Sequence, residues 1–397
     1  QERHQELQIH QLDIGIISQQ ALKNPGTFDV IILTNILNTL PDVQDLLQRL
    51  EAFCHERTRL VISFHNWLWQ PALKAAEKAG LRQQQPPESW LTPNDVRNLL
   101  DLSGWEVLKS GHRCLLPRQI PLLTPLMNRW GSQLPLLEQL GLTHWMVARP
   151  IRQQPQQPSV SVVIPARNEA GNIAAAIDRL PLLGSSTEVI FVEGHSSDHT
   201  WNEIQRVCST YTGPMQLRCF QQTGKGKADA VWLGFEEAKG DILIILDADL
   251  TVRPEDLPRF IEALAIGRGE FVNGCRLVYP RSDAAMPPLN TAANRTFAAL
   301  FSWLLRQRLK DTLCGTKAIW KKDYENLKRG RAYFGDFDPF GDFDLLFGAS
   351  KLNLKIVEVP VRYQERTYGS SNIAHVKEGL ILARMCTYAA RKLRFIP

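Results

Sequence analysis

The sequence has 397 residues, with 46 Lys and Arg against 41 Asp and Glu, and seven cysteines. A hydrophobic content of 44% beside 22% charged residues is that of a globular chain, which excludes a disordered tail protein and a collagen-like repeat. Seven cysteines without a CxxC pair argue against a disulfide scaffold or zinc ribbon and point to a reducing compartment.

The charge is unevenly spread. Residues 1–150 hold 14 basic and 14 acidic side chains, so the whole excess of +5 falls in residues 151–397. No stretch reaches the roughly 18 apolar residues of a membrane span. The most apolar run, Ala298 to Leu305, is broken by Ser302 and followed by Arg306. The first thirty residues lack the apolar core of a secretory signal, so the cytoplasm is the expected location.

In chain order, residues 7–14 alternate like a strand, and 28–37 and 58–64 read as buried strands. Helices are expected over 42–55, 71–80 and 93–103, where Pro71 and Pro93 suit a first helical turn. Residues 105–115 and 143–150 read as late strands. This alternation predicts a mostly parallel, doubly wound α/β domain over residues 1–150. Residues 151–158, rich in Gln and Pro, form the expected linker; Pro155 and Pro158 forbid a continuous helix. A second α/β domain is expected over 159–397, with strands at 160–166, 187–194 and 241–250 and helices between them.

The polar residues of that second domain gather at strand ends. Asp247 and Asp249 close a strand whose five residues Ile242 to Leu246 are all apolar. Two carboxylates so placed cannot both be buried unpaired. A divalent cation shared with phosphate oxygens would balance them, whereas a helix cap or a surface turn would explain a lone pair of this kind equally well. Pro165, Arg167, Asn168 and Glu169 follow the first strand, and Glu193 and Asp198 the second. The segment 223–231 adds two glycines, Lys225 and Lys227 just before a helix, an arrangement that suits phosphate. Its glycine spacing is not that of a Walker loop. Ligands bind beyond the carboxyl ends of strands in such sheets.

With these segments, residues 159–397 resemble a family 2 glycosyltransferase of the GT-A fold, nearest to the dolichol-phosphate or polyprenyl-phosphate sugar transferases. The resemblance implies a metal-dependent, inverting transfer from a UDP- or GDP-sugar to a lipid phosphate. It assigns Asp247 and Asp249 to Mg²⁺ or Mn²⁺ and the donor diphosphate. Pro165, Arg167, Asn168, Glu169, Glu193, Asp198, Lys225 and Lys227 fall to the nucleotide side. Residues 194–200 read GHSSDHT where the family often has DGSSDGT, a departure that adds no metal site. Further on, 310–320 resembles a segment near the acceptor, in which Cys314 reads as a small, partly buried thiol and not a nucleophile. Residues 359–373 match a phosphate-contacting region that implicates Arg366 and Ser370.

A phosphate monoester is largely dianionic at pH 7 and needs no general base. The difficulty is to bring two anions together, which a metal and Arg or Lys groups would solve. A hydroxyl acceptor on a saccharide or small molecule would need a carboxylate base, for which Asp342 and Asp344 are the candidates. Residues 351–397 hold nine basic and three acidic groups, and Lys377, Arg384 and Arg391 recur every seven residues. A helix over 374–397 could therefore lie against an anionic bilayer at the inner membrane face or pack on the domain with a solvated basic side. Nucleic acid is not an expected partner.

Residues 28–42 and 7–14 resemble the later strands of class I S-adenosylmethionine-dependent methyltransferases, with Asp13 at a polar strand end. The glycine-rich first turn and the acidic second-strand end of that family are missing. They are expected upstream of Gln1 or lost, so S-adenosylmethionine is not an expected cofactor of the chain as it stands. A bifunctional enzyme and a degenerate sugar-nucleotide-binding scaffold are the remaining alternatives.

Overall fold

A computed structural model of the chain describes residues 9, 26–83, 89–151, 157–280, 288–331, 341–366, 368 and 375–395, with the backbone alone at 288–290, 342 and 375–382. The chain divides into two compact units, residues 1–152 and 153–397. Apart from Ile9, the expected strand at 7–14 lies outside the described residues, as do residues 152–156 of the expected linker.

The first unit is built on β1 (Phe28–Thr34), α1 (Val43–Arg49), β2 (Cys54–His65), α2 (Gln70–Lys78), α3 (Pro93–Leu102), β3 (Trp105–Arg113), α4 (Leu123–Arg129), α5 (Pro135–Glu138) and β4 (Thr143–Pro150). Its sheet runs β1-β2-β4-β3. Here the expectation of a mostly parallel sheet is corrected. Only β1 and β2 pair in parallel, and β4 lies antiparallel between β2 and β3. The chain returns from β3 directly alongside it, and an antiparallel neighbour needs no crossover.

Local signals explain the helix boundaries. Asp42 accepts from Asp45 N at 2.9 Å and starts α1. The expected helix 42–55 stops early, because residues 50–53 tighten into a 3₁₀ turn and the chain becomes extended at Cys54. A capping box of Thr92 and Asp95, with Pro93 in the first turn, sets α3. Its Val96 and Leu100 pack with Leu60, Ile62 and Trp105 in the core.

The second unit follows as β5 (Val160–Ala166), α6 (Ile173–Arg179), β6 (Thr187–Glu193), α7 (Thr200–Thr210), β7 (Gln216–Gln221), α8 (Gly226–Glu237), β8 (Ile242–Ile245), α9 (Pro258–Ala265), β9 (Phe271–Cys275), α10 (Pro288–Leu305), β10 (Lys317–Trp320), α11 (Lys321–Arg329), α12 (Asp342–Lys351), β11 (Ile356–Pro360) and α13 (His375–Leu393). The seven strands lie in the order β11-β9-β10-β8-β5-β6-β7. Strands β5 to β8 are parallel to one another, and β10 runs antiparallel between β8 and β9.

Helices cover both faces of this sheet, which is why its central strand β8 is apolar at every position and β5 at nearly all. Val162 and Ile244 pack in one core, and their neighbours Val163 and Ile245 in the other. Among the described residues no helix is long and apolar enough to cross a membrane.

Candidate functional site

The carboxyl ends of β5, β6 and β8 and the start of α8 converge on one polar region. Strand β8 is shorter than its apolar run, since the chain turns after Leu246 and Leu250 sits at φ +54°. That turn carries Asp247 and Asp249. The Asp247 Oδ1 atom lies 2.5 Å from the Lys227 ammonium, which the first turn of α8 supplies. Burial would raise the Asp247 pKa, but the charges of Lys227, Lys317 and Arg276 outweigh it and hold the carboxyl below its ordinary value.

Asp249 faces a different cation. Its Oδ2 accepts from Arg366 Nη2 at 2.7 Å, while Oδ1 accepts from Thr251 N and Oγ1 at 3.1 and 2.9 Å. Arg366 reaches the site because Tyr363 bridges Val252 and Gln364 N donates to Thr251 O at 2.9 Å. The other arm of Arg366 donates to Glu169 Oε1 at 2.7 Å. Burial pushes the Glu169 carboxyl up, against the pull of Arg366 and a hydrogen bond from Asn172.

The remaining predicted acids serve the loops. Glu193 is buried at the end of β6 and accepts from Ser196 N at 2.5 Å and Gln221 Nε2 at 3.1 Å. Burial alone would raise its pKa; these hydrogen bonds hold it low. Asp198, two residues before Thr200 at the start of α7, accepts from Thr200 N at 2.9 Å and from Ala170 N at 3.4 Å. Its pKa is lowered, the hydrogen bonds of Thr200 overcoming the effect of burial. Asn168, in a left-handed conformation at φ +57°, accepts from Ser197 N at 2.8 Å and donates its own N–H to Ser196 Oγ at 3.0 Å. These bonds tie the loop after β5 to the loop after β6. Pro165 is half-buried at the end of β5, and Arg167 and Lys225 are exposed.

Not every candidate joins this group. Asp344 is buried on α12 and pairs with Arg331 Nε at 3.5 Å. Both line a separate pocket of α11 and α12 with Asn326, Leu327, Gly348 and Lys351. The Asp342 side chain and Ser370 lie outside the described residues.

Asp311, Cys314, Gly315 and Lys317 come from the 310–320 segment, whereas Arg276 and Asn294 carry no local sequence signal. Asp311, fully buried, accepts from Arg276 Nε and Nη2 at 2.8 Å each and from Asn294 Nδ2 at 2.8 Å. Arg276 also lies over the Tyr363 ring at 5.2 Å. Lys317 is buried and donates to Cys314 O. Gly315 packs so tightly on the pair at β8 that a Cβ there would overlap the Asp247 carboxylate and the Lys227 ammonium. Cys314 proves fully buried, and burial pushes its thiol up to about 12. Among the described residues no cluster of three or more His, Cys, Asp or Glu could hold a metal ion on its own.

The family model for Glycosyl transferase family 2 matches residues 161–326. A dolichol-phosphate mannosyltransferase of Pyrococcus furiosus is 38% identical over 221 residues, which are 54% of this chain and 59% of that protein. An undecaprenyl-phosphate 4-deoxy-4-formamido-L-arabinose transferase of Edwardsiella ictaluri is 27% identical over 55% of this chain and 64% of that protein. The chain thus spans less than two thirds of the length of these curated relatives. A solved glucosyl-3-phosphoglycerate synthase of Mycobacterium tuberculosis, crystallised with Mn²⁺, UDP and glucosyl-3-phosphoglycerate, overlaps 60% of this chain and 81% of its own at 21% identity and a TM-score of 0.44.

Proposed function

We propose, from the premise that residues 161–326 form a domain of the Glycosyl transferase family 2, that the second unit moves a sugar from a UDP- or GDP-activated donor to the phosphate of a polyprenyl or dolichyl acceptor, with inversion at the sugar carbon. The observation that carries this reading is the paired carboxylates Asp247 and Asp249 at one strand end, each facing a separate cation, Lys227 from the first turn of α8 and Arg366 from the chain after β11. The acceptor class is the one named in the matched relatives from Pyrococcus and Edwardsiella.

The donor set fits Mg²⁺ or Mn²⁺ only as a shared site. Two hard carboxylate oxygen donors are too few to fill the shell of such an ion, so diphosphate oxygens and water would complete it. Asp247 and Asp249 would hold the ion, and it would supply positive charge to the departing diphosphate. Lys227 would then be free to meet a phosphate oxygen, next to the amino end of α8.

Glu169, Glu193, Asn168 and Asp198 would shape the nucleotide pocket through the loop bonds they already make, with Pro165, Arg167 and Lys225 at its border. Arg366, with Ser370 after it, would draw the acceptor phosphate towards the sugar. A dianionic phosphate needs no base, and Asp344, held by Arg331, is not offered as one.

Incubating the full chain with a panel of nucleotide sugars, polyprenyl phosphate and Mn²⁺ tests the reading. An acid-labile product that partitions into organic solvent supports it. A water-soluble product points to a hydroxyl acceptor instead, and a product that retains the donor's anomeric configuration refutes inversion.

For residues 1–150 we propose a methyltransferase-like fold without an S-adenosylmethionine site in this chain. A rise in melting temperature on adding that cofactor would overturn the second half of this statement. For residues 374–397 we propose peripheral contact with the inner membrane face, supported by Arg384 and Arg391, both exposed on α13. Liposome flotation without those residues tests it, and equal binding by the truncated chain removes it.

A further inference from the structure

The first unit exposes apolar side chains in a concentration found nowhere else among its described residues. Between β3 and β4 the chain passes through α4 and α5. Leu122 is 89% exposed, Leu136 84%, Leu126 57% and Trp130 46%. Leu123, Leu126 and Trp130 are spaced three and four residues apart and so share one face of the turn of helix. The Nε1 atom of Trp69 donates to Leu140 O at 2.8 Å, which ties the turn carrying the exposed Trp67 and Leu68 to the segment that follows α5. Leu122 also sits at φ +65°, a conformation that costs a leucine energy and here secures no burial.

Monomeric soluble surfaces rarely gather apolar side chains in this way without a partner. The charge pattern indicates which partner. Across residues 117–140 the exposed ionic groups are Arg118 and Arg129, while the sole acid, Glu138, is buried and accepts from His112 N at 3.2 Å. Arg129 lies 5.7 Å over the Trp130 ring. Leucines to enter acyl chains, two tryptophans at a headgroup level and arginines without a competing acid match an anionic bilayer surface.

We propose that this face of the first unit, centred on α4 and α5, docks on the surface of an anionic lipid bilayer. The inference rests on the surface itself and not on the glycosyl transfer proposed above.

The test is vesicle flotation of the full chain with neutral phosphatidylcholine vesicles and with vesicles containing phosphatidylglycerol, for the native protein and for the L122S/L126S/L136S variant. Selective binding to the anionic vesicles is expected, with a fall of roughly tenfold or more in the variant, since each leucine would lose its transfer from water. Residues 374–397 are untouched in that variant, so a fall clearly smaller than roughly tenfold overturns the proposal and leaves any binding to the C-terminal helix. Absence of native binding overturns it too. So does a native dimer, seen by light scattering, that the same substitutions dissolve, because the face would then cover a second copy. The three leucines are exposed, so an unchanged thermal melt is expected and separates lost docking from lost folding. Transfer to a water-soluble short-chain phosphate reports independently on the proposed activity.

Discussion

The Lys227 ammonium stands 2.5 Å from Asp247 Oδ1, so the first of the two strand-end carboxylates meets a counter-charge carried in on α8. A positively charged group so placed would matter most when the diphosphate departs. Lys227→Met is expected to lower turnover by about 10²-fold or more while the fold persists. Steady-state kinetics beside a thermal melt check this, and turnover within a few-fold of native would exclude Lys227 from the chemistry.

Gly315 leaves that ion pair no room to move. In Gly315→Ala the added methyl group would overlap both partners, which are side-chain ends and can retreat. Activity is therefore expected to fall far more than stability. A variant that loses its cooperative melt would instead show that the loop, and not the pair, is the constraint.

Arg366 holds Glu169 and Asp249 with its two arms, each at 2.7 Å. Lysine keeps the charge but has no planar fork. Arg366→Lys should cost about 10- to 100-fold in turnover, mostly without a change in donor binding measured by calorimetry. Native turnover in the lysine variant would mean that charge alone suffices.

Arg276 and Asp311 predict a stability effect. Burial raises the Asp311 pKa, yet Arg276 and Asn294 bring the carboxyl down to about 2 from an ordinary 3.8. Removing one partner leaves a buried charge, so Arg276→Met is expected to cost about 3–5 kcal/mol, and R276M/D311L less than the single change. Because the folded pKa is depressed, the pair contributes fully above the unfolded value and its contribution disappears as pH falls towards 2. Without Arg276 the buried carboxyl titrates higher, so the penalty of Arg276→Met should stay constant above roughly pH 6 and shrink as pH falls from there towards 2. Denaturant titrations across pH would show a flat penalty at acid pH if the assignment is wrong.

Cys314 should be inert. Its thiol is fully buried and pushed up to about 12, with its sulfur against Gly274. It is expected to resist thiol reagents in the folded protein. Rapid labelling with loss of activity would reopen a nucleophilic role.

The strands that carry the site were legible because both faces of the sheet are covered. Val160 to Ala166 is almost continuously apolar and Val189 to Val192 wholly so, and their ends mark where polar residues begin. Strand β7 was not read, since it is a half-buried edge strand whose QLRCFQ run shows neither a buried pattern nor a helical one. In the first unit, the apolar runs marked strands correctly but could not give their direction. The acids at the strand ends and the cations Lys227 and Arg366 were each visible as candidates; which acid pairs with which cation was not. Lys227 lies 20 residues before Asp247, and Arg366 lies 117 residues after Asp249. Glu193 and Asp198 looked like ligand contacts, and the structure commits their oxygens to Ser196, Gln221 and Thr200.

The reversed direction of β10 has a practical consequence for engineering. Since β10 runs against β8, the loop that precedes it reaches the rim where parallel neighbours contribute the loops that follow them. The opposite rim is marked by Lys321 N donating to Asp241 O at 2.7 Å, at the far ends of the same two strands. Loop grafts or affinity tags inserted before β10 would therefore interfere with the chemistry, whereas the junctions on the Asp241 rim should accept them.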